Sequence, residues 1–192
     1  LPLLPIQILW INIIMDGPPA MSLGVEPARS GVMIEPPRKL GQRILTGARF
    51  GRLFVYGLTM AVGTLGLFHY AQPRGQTYAL TMAFTTFVLF QFFNIFNARA
   101  EYASAFSHQF FDNRRLWMAL VGVVALQIVV VHWTPAQAVY DTVDLGLADW
   151  ALAVEAYGLE EIRKVPGYHD EPLKGKRAGQ RSIRLSRAYR AI

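Results

Sequence analysis

Three stretches of this chain, Leu53–Tyr70, Tyr78–Phe96 and Leu116–Trp133, contain no Asp, Glu, Lys or Arg. An α-helix rises 1.5 Å per residue, so runs of about 20 apolar residues match a hydrocarbon layer ~30 Å thick. Inside lipid every backbone N–H and C=O must be satisfied within the protein, which makes each run a membrane-spanning helix. Two more apolar stretches flank them. Leu3–Met15 reaches spanning length if it continues through Asp16-Gly17-Pro18-Pro19 to about Leu23. Leu145–Ile162 carries Asp149, Glu155, Glu160 and Glu161, and its uncharged portions are too short to span fully. The expected fold class is all-α: a polytopic membrane helical bundle of about five transmembrane helices, the last one short. It occupies residues 1–164, and residues 165–192 form a basic, disordered cytoplasmic tail in contact with anionic lipid.

The net charge of +6 raises the question of nucleic acid. The placement of the 19 Lys and Arg residues answers it. Residues 20–52 hold six, 71–77 one, 97–115 three, 134–144 none, and the tail from Arg163 nine. Basic residues therefore crowd into alternate connections, as the positive-inside rule demands of five successive spans. A nucleic-acid binder has no reason to alternate its charge, so no nucleic-acid partner is expected. The first helix runs from outside to inside. Tyr70, Tyr78, Trp117, Trp133 and Trp150 fall near helix ends, where aromatic belts sit. Cysteine is absent, which removes disulfides and the thiolate sites that copper(I) and zinc favour. The chain opens at Leu1 in an apolar run without a basic n-region, so it reads as a piece of something longer and not as a signal peptide.

The chemistry sits in Trp10-Ile11-Asn12-Ile13-Ile14-Met15-Asp16-Gly17-Pro18-Pro19. Asn12 and Asp16 are four apart and share one helix face. A carboxylate deep in the bilayer costs at least about 2.5–3.5 kcal/mol. Either a bound cation offsets that cost, or Asp16 sits at an interface as a cap or a snorkelling group. Gly17, Pro18 and Pro19 are expected to break the helix and free backbone carbonyls toward an ion. Oxygen ligands of this kind suit hard cations such as Ca2+ or Mn2+.

The stretch Leu4–Pro27 resembles the sixth transmembrane helix of calcium-transporting P-type ATPases. Glu35-Pro36-Pro37-Arg38 is similar to the Pro-Pro-Arg element of the following loop, Phe90–Asn97 to the eighth helix, and Ala148-Asp149-Trp150 with Glu160-Glu161-Ile162-Arg163 to the tenth. The resemblance covers residues 1–164 and implies helices six to ten of a ten-helix pump. It implies that Asn12 and Asp16 ligate the transported ion. Met15 stands where the two-site muscle-type pump has a ligating Thr, and the secretory-pathway calcium/manganese pumps carry Met there. Gln91 stands where the muscle-type pump has a ligating Glu. Both departures remove hard oxygens, so one transported ion per cycle is expected, Ca2+ or Mn2+, with Gln91 and Met15 as possible further ligands. Asn94 and Asn97 read as interhelical hydrogen-bonders. Between Trp150 and Gly158 the chain is about one helical turn shorter than the family pattern.

Further expectations follow. The small residues Gly57, Ala61, Gly63 and Gly66 permit close helix approach; the resemblance implies that their partner is the fifth helix. His69, His108, His132 and His169 share no metal-ligand spacing. No Asp-Lys-Thr-Gly-Thr phosphorylation motif or P-loop occurs, so the chain holds no catalytic residue, and ATP and Mg2+ belong to domains outside it. The implied partners are transmembrane helices one to five, the cytoplasmic domains and membrane lipid. The expected setting is a bacterial or archaeal plasma membrane. Two rival functions are a proton- or sodium-coupled transporter and a nonfunctional membrane remnant.

Overall fold

The computed structural model describes residues 2–26, 46–99, 113–164, 169–172, 181–184 and 190–191. The membrane part is all-helical. A first helical run comprises α1 (Pro5–Trp10), a π-helical segment (Ile11–Asp16) and α2 (Gly17–Gly24). There follow α3 (Gly47–Ala71), a 3-10 turn (Gln72–Arg74), α4 (Gln76–Arg99), α5 (Arg114–His132), α6 (Thr134–Tyr140) and α7 (Leu147–Lys164). The Thr46 hydroxyl caps α3 by accepting from the Arg49 N–H at 3.3 Å. Asn113 Oδ1 caps α5 by accepting from the Leu116 N–H at 3.0 Å. Such caps satisfy N–H groups that no helical carbonyl can reach. Gly75, at φ 122°, makes the tight turn between the 3-10 segment and α4, a conformation only glycine adopts freely.

Helix α4 is the axis of the bundle. Every residue from Ala79 to Thr86 is buried, and a helix enclosed on all sides is one that neighbours surround. One apolar cluster joins Phe68 and Ala71 of α3 to Ala79, Leu80, Met82, Ala83 and Leu89 of α4 and to Ala153 of α7. A second joins Trp10, Ile11 and Met15 to Phe84 and Val88 of α4 and to Val123 and Val130 of α5. The buried hydroxyls are satisfied locally: Thr81 donates to the Thr77 carbonyl at 2.9 Å and Thr86 to the Met82 carbonyl at 2.7 Å. These i to i−4 bonds let α4 carry polar groups through an apolar core.

Among the described residues, three helices are long and apolar enough to cross a membrane: 49–74, 76–96 and 114–132. They are the three uncharged stretches of the sequence. Helix α7 has 18 residues, and its acidic side chains keep it outside that group. Three features depart from expectation. The first helical run is widened, not broken. The connection after α5 contains a further helix, α6, because Pro135 stands in its first turn, where a missing N–H costs nothing. The backbone of the tail forms three short antiparallel strands: β1 (His169–Pro172), β2 (Arg181–Arg184) and β3 (Arg190–Ala191). Residues 181 and 184 pair with 172 and 169, and 183 and 184 with 191 and 190. The Glu35–Arg38 element and His108 lie outside the described residues.

Of the three glycines on α3 expected to allow close approach, Gly63 meets a neighbour within the chain: a Cβ there would run into Cζ of Phe90, which is itself fully buried. At Gly57 and Gly66 a Cβ would meet nothing within 4 Å. Gly63→Ala should therefore cost about 1–3 kcal/mol, as overpacking usually does, and lower the unfolding midpoint of the purified chain in a denaturing-detergent titration. Gly57→Ala and Gly66→Ala should leave that midpoint unchanged or raise it, since alanine favours a helix. Equal midpoints for all three would contradict the α3–α4 contact.

Candidate functional site

Proline cannot donate a backbone hydrogen bond. Pro18 and Pro19 therefore leave the carbonyls of Ile14 and Met15, four residues earlier, without α-helical donors. The chain answers by winding wide over Ile11–Asp16. A π-helix bonds each carbonyl five residues ahead, and such turns occur mostly as short segments at functional sites. Gly17 and the two prolines then fill the first turn of α2. Asp16 (φ −87°, ψ −40°) and Gly17 (φ −58°, ψ −71°) keep right-handed helical backbone through the junction.

The wide turn has two unlike flanks. Ile11 and Met15, four apart, are 5% and 1% exposed and pack into the cluster of Phe84, Val88, Val123 and Val130. Asn12 and Asp16, also four apart, are both exposed on the other flank. Neither side chain has a hydrogen-bond partner among the described residues. Asn12 and Asp16 are thus both open at the surface of the first run, while Met15 is buried in the core. Gln91 is half-buried. It follows Phe84 and Val88 at helical spacing, on the face of α4 that packs against the π segment. Asn94 is half-buried on α4 as well, and the side chain of Asn97 lies outside the described residues.

Polar side chains that patterning did not single out hold this region in place. Gln7 is fully buried, and its Nε2 donates to the Tyr140 carbonyl at 3.1 Å. Asn113 Nδ2 donates to the Ser22 carbonyl at 2.9 Å. Gln127 Nε2 donates to the Thr85 hydroxyl at 3.3 Å, linking α5 to α4. At the outer end the Thr142 hydroxyl donates to the Val130 carbonyl at 2.6 Å, and the Val143 N–H donates to the Thr81 hydroxyl at 3.1 Å. Among the described residues, the buried side-chain polar atoms without a partner are Trp10 Nε1, Thr64 Oγ1 and Gln127 Oε1.

One ion pair and one histidine hydrogen-bond group lie at the same end. Arg74 pairs with Asp149 at 3.1 Å and donates to the Tyr78 hydroxyl, tying α7 to the turn between α3 and α4. His132 Nδ1 pairs with Asp144 Oδ1 at 3.0 Å, and Trp150 Nε1 donates to His132 Nε2 at 3.4 Å. His69 Nδ1 meets Gln72 Oε1 at 3.2 Å. Among the described residues, no three His, Asp or Glu side chains converge as a metal cage. The candidate site is a carboxylate and an amide, Asp16 and Asn12, both exposed on the first helical run.

The family described as cation transporting ATPase, C-terminus, matches residues 1–159. A mouse protein named calcium-transporting ATPase type 2C member 2 is 38% identical over 171 residues, which are 85% of this chain and 18% of that protein. A human protein named calcium-transporting ATPase type 2C member 1 is 39% identical over 154 residues, 77% of this chain and 16% of that one. A calcium-transporting ATPase of Bacillus subtilis is 36% identical over 163 residues, 80% of this chain and 18% of its own length. The chain thus spans less than one fifth of the length of these relatives.

The buried setting of Met15 generates a test. Met15→Thr would remove methyl and thioether bulk from a site only 1% exposed. It should destabilise the bundle by about 2–4 kcal/mol, within the range for large-to-small core changes. The measurement is the same detergent unfolding midpoint. An unshifted midpoint would place Met15 outside the core.

Proposed function

The chain belongs to the family of cation-transporting ATPase C-terminal regions, and from that premise we propose that its first helical run supplies half of the ion site of an ATP-driven calcium or manganese pump. Asn12 and Asp16 are the ligands this chain contributes. One observation carries the reading: the only carboxylate of the wide turn and the amide four residues before it are both exposed, while Ile11 and Met15 of the same turn are buried against α4 and α5. A carboxylate facing lipid there would cost at least about 2.5–3.5 kcal/mol. A divalent cation on that flank offsets the cost. The remaining oxygen ligands come from pump helices outside this chain, which cover the exposed flank.

The donor set suits Ca2+ and Mn2+, both of which accept carboxylate and amide oxygens. Met15 stands on the wrong flank to replace a hard ligand, which supports a single transported ion per cycle. Gln91, on the packed face of α4, is at most an outer contributor. Phosphorylation of a cytoplasmic domain outside this chain drives the helix movements that open Asp16 to one side of the membrane and then the other. The basic tail lies on the cytoplasmic side by the positive-inside rule. Relatives named for calcium transport support Ca2+, and the Met at position 15, as in the secretory-pathway pumps, supports Mn2+ beside it.

The test is uptake by the intact pump reconstituted in vesicles. Asp16→Asn should abolish both calcium and manganese uptake, at least a hundredfold below the parent rate. Asn12→Ala should raise the half-saturating concentration of either ion about tenfold or more. Gln91→Ala should change it less than threefold. Undiminished uptake by Asp16→Asn would remove the site from this helix.

A further inference from the structure

Among the described residues, two side-chain hydrogen bonds fasten the helical run 5–24 to the rest of the bundle, and they sit at its two ends. At the outer end fully buried Gln7 uses both of its side-chain polar atoms. Its Oε1 accepts from the Leu4 N–H at 3.1 Å and its Nε2 donates to the Tyr140 carbonyl at 3.1 Å. Trp10 packs edge-on against the Tyr140 ring, 5.1 Å between centroids, so the same residue of α6 receives two contacts. At the inner end Asn113 does two jobs. Its Oδ1 caps α5 and its Nδ2 donates to the Ser22 carbonyl at 2.9 Å. The Ser22 hydroxyl in turn donates to the Pro18 carbonyl at 2.8 Å, which carries the fastening back to the prolines. Asn113 and Ser22 are 5% and 9% exposed.

Both anchors belong to one continuous arm, α5 and α6. The stretch between the fastenings is the π segment, with Asn12 and Asp16 on its bare flank. A π turn holds poorer geometry than an α-helix and persists where its surroundings impose it. Rewinding it to α would change both the length of the run and the angle between its ends. Two ends pinned to α5 and α6, which pack on each other, resist that change.

We propose that Gln7 and Asn113 are positioning residues of the cation site: by pinning both ends of the run to the α5–α6 arm, they keep Ile11–Asp16 wound wide and set Asp16 against Asn12. The inference rests on the ion-site reading above and adds the residues that hold its geometry. Freeing either end lets the turn rewind and moves the carboxylate off its partner. The loss falls on ion affinity and not on turnover. Freeing the second end adds little, because one release suffices.

The test uses the intact pump in vesicles with Ca2+ alone as the probe. Gln7→Met keeps the length of the side chain without its amide. Asn113→Ser keeps a capping oxygen for α5 and removes the donor to Ser22. Each should raise the half-saturating Ca2+ concentration about tenfold with the maximal rate within twofold of the parent. The double variant should lie within threefold of the weaker single. If Asn113→Ser yields no protein, Asn113→Asp answers the same question, since it keeps size and cap but sets an acceptor against the Ser22 carbonyl. Half-saturation unchanged within twofold, with only yield or maximal rate reduced, would overturn the proposal and leave the two residues a purely structural role. A fully additive double variant would overturn the shared-turn mechanism. Asp16→Asn is measured in the same preparation. If it still takes up Ca2+, the ion-site reading itself fails; if it does not, an unchanged half-saturation in the other variants counts against the pinning alone.

Discussion

Backbone groups in hydrocarbon have nowhere to go but to each other, and two adjacent prolines after Asp16 deny the helix its ordinary partners. The rest of the site follows from that conflict. Breaking the chain would strand carbonyls in lipid. The chain instead winds wide over Ile11–Asp16 and places the prolines in the first turn of α2. The cost of the wide turn is met by neighbours: Ile11 and Met15 bury into the cluster with α4 and α5. Asn12, Ile13 and Asp16 remain exposed.

The polar residues of this bundle work in an unusual economy, because lipid offers them no competition from water. Gln7, Asn113, Thr142 and Thr81 each reach a backbone group on a different element or anchor one. None is charged. Such bonds between membrane helices are individually modest, about 0.6 kcal/mol on average and up to about 2, but each specifies one register. Apolar packing alone is tolerant of sliding. The hydrogen bonds decide which turn of α5 faces which turn of the first run. The Gly63–Phe90 contact plays the matching steric part between α3 and α4.

Much of this could be read without coordinates, and the division follows physical range. The three uncharged stretches became helices because length and apolarity decide that locally. Asn12 and Asp16, four apart in sequence, are both exposed on the first run. The family resemblance carried first by Leu4–Pro27 agrees with the match over residues 1–159. What escaped was non-local. The prolines signalled a disturbance, but whether it would break or widen the helix depended on the α4 and α5 side chains around Ile11 and Met15. Gln7 and Asn113 look unremarkable in sequence, since their acceptors lie 133 and 91 residues away. Helix α6 was hidden in a short connector whose Thr134-Pro135 start was a legible signal. The burial of Met15 could not be separated from a ligand role by residue type alone.

The outer connection between α5 and α7 has a bearing on traffic. Thr142 and Val143 stitch it to the ends of α5 and α4 with short bonds to Val130 and Thr81, and Leu145 behind them is only 3% exposed. That seam closes the mouth between α4 and α5 with protein backbone. If Asp16 meets an ion as proposed above, access to it would lie on the exposed flank of the first helical run, away from this seam.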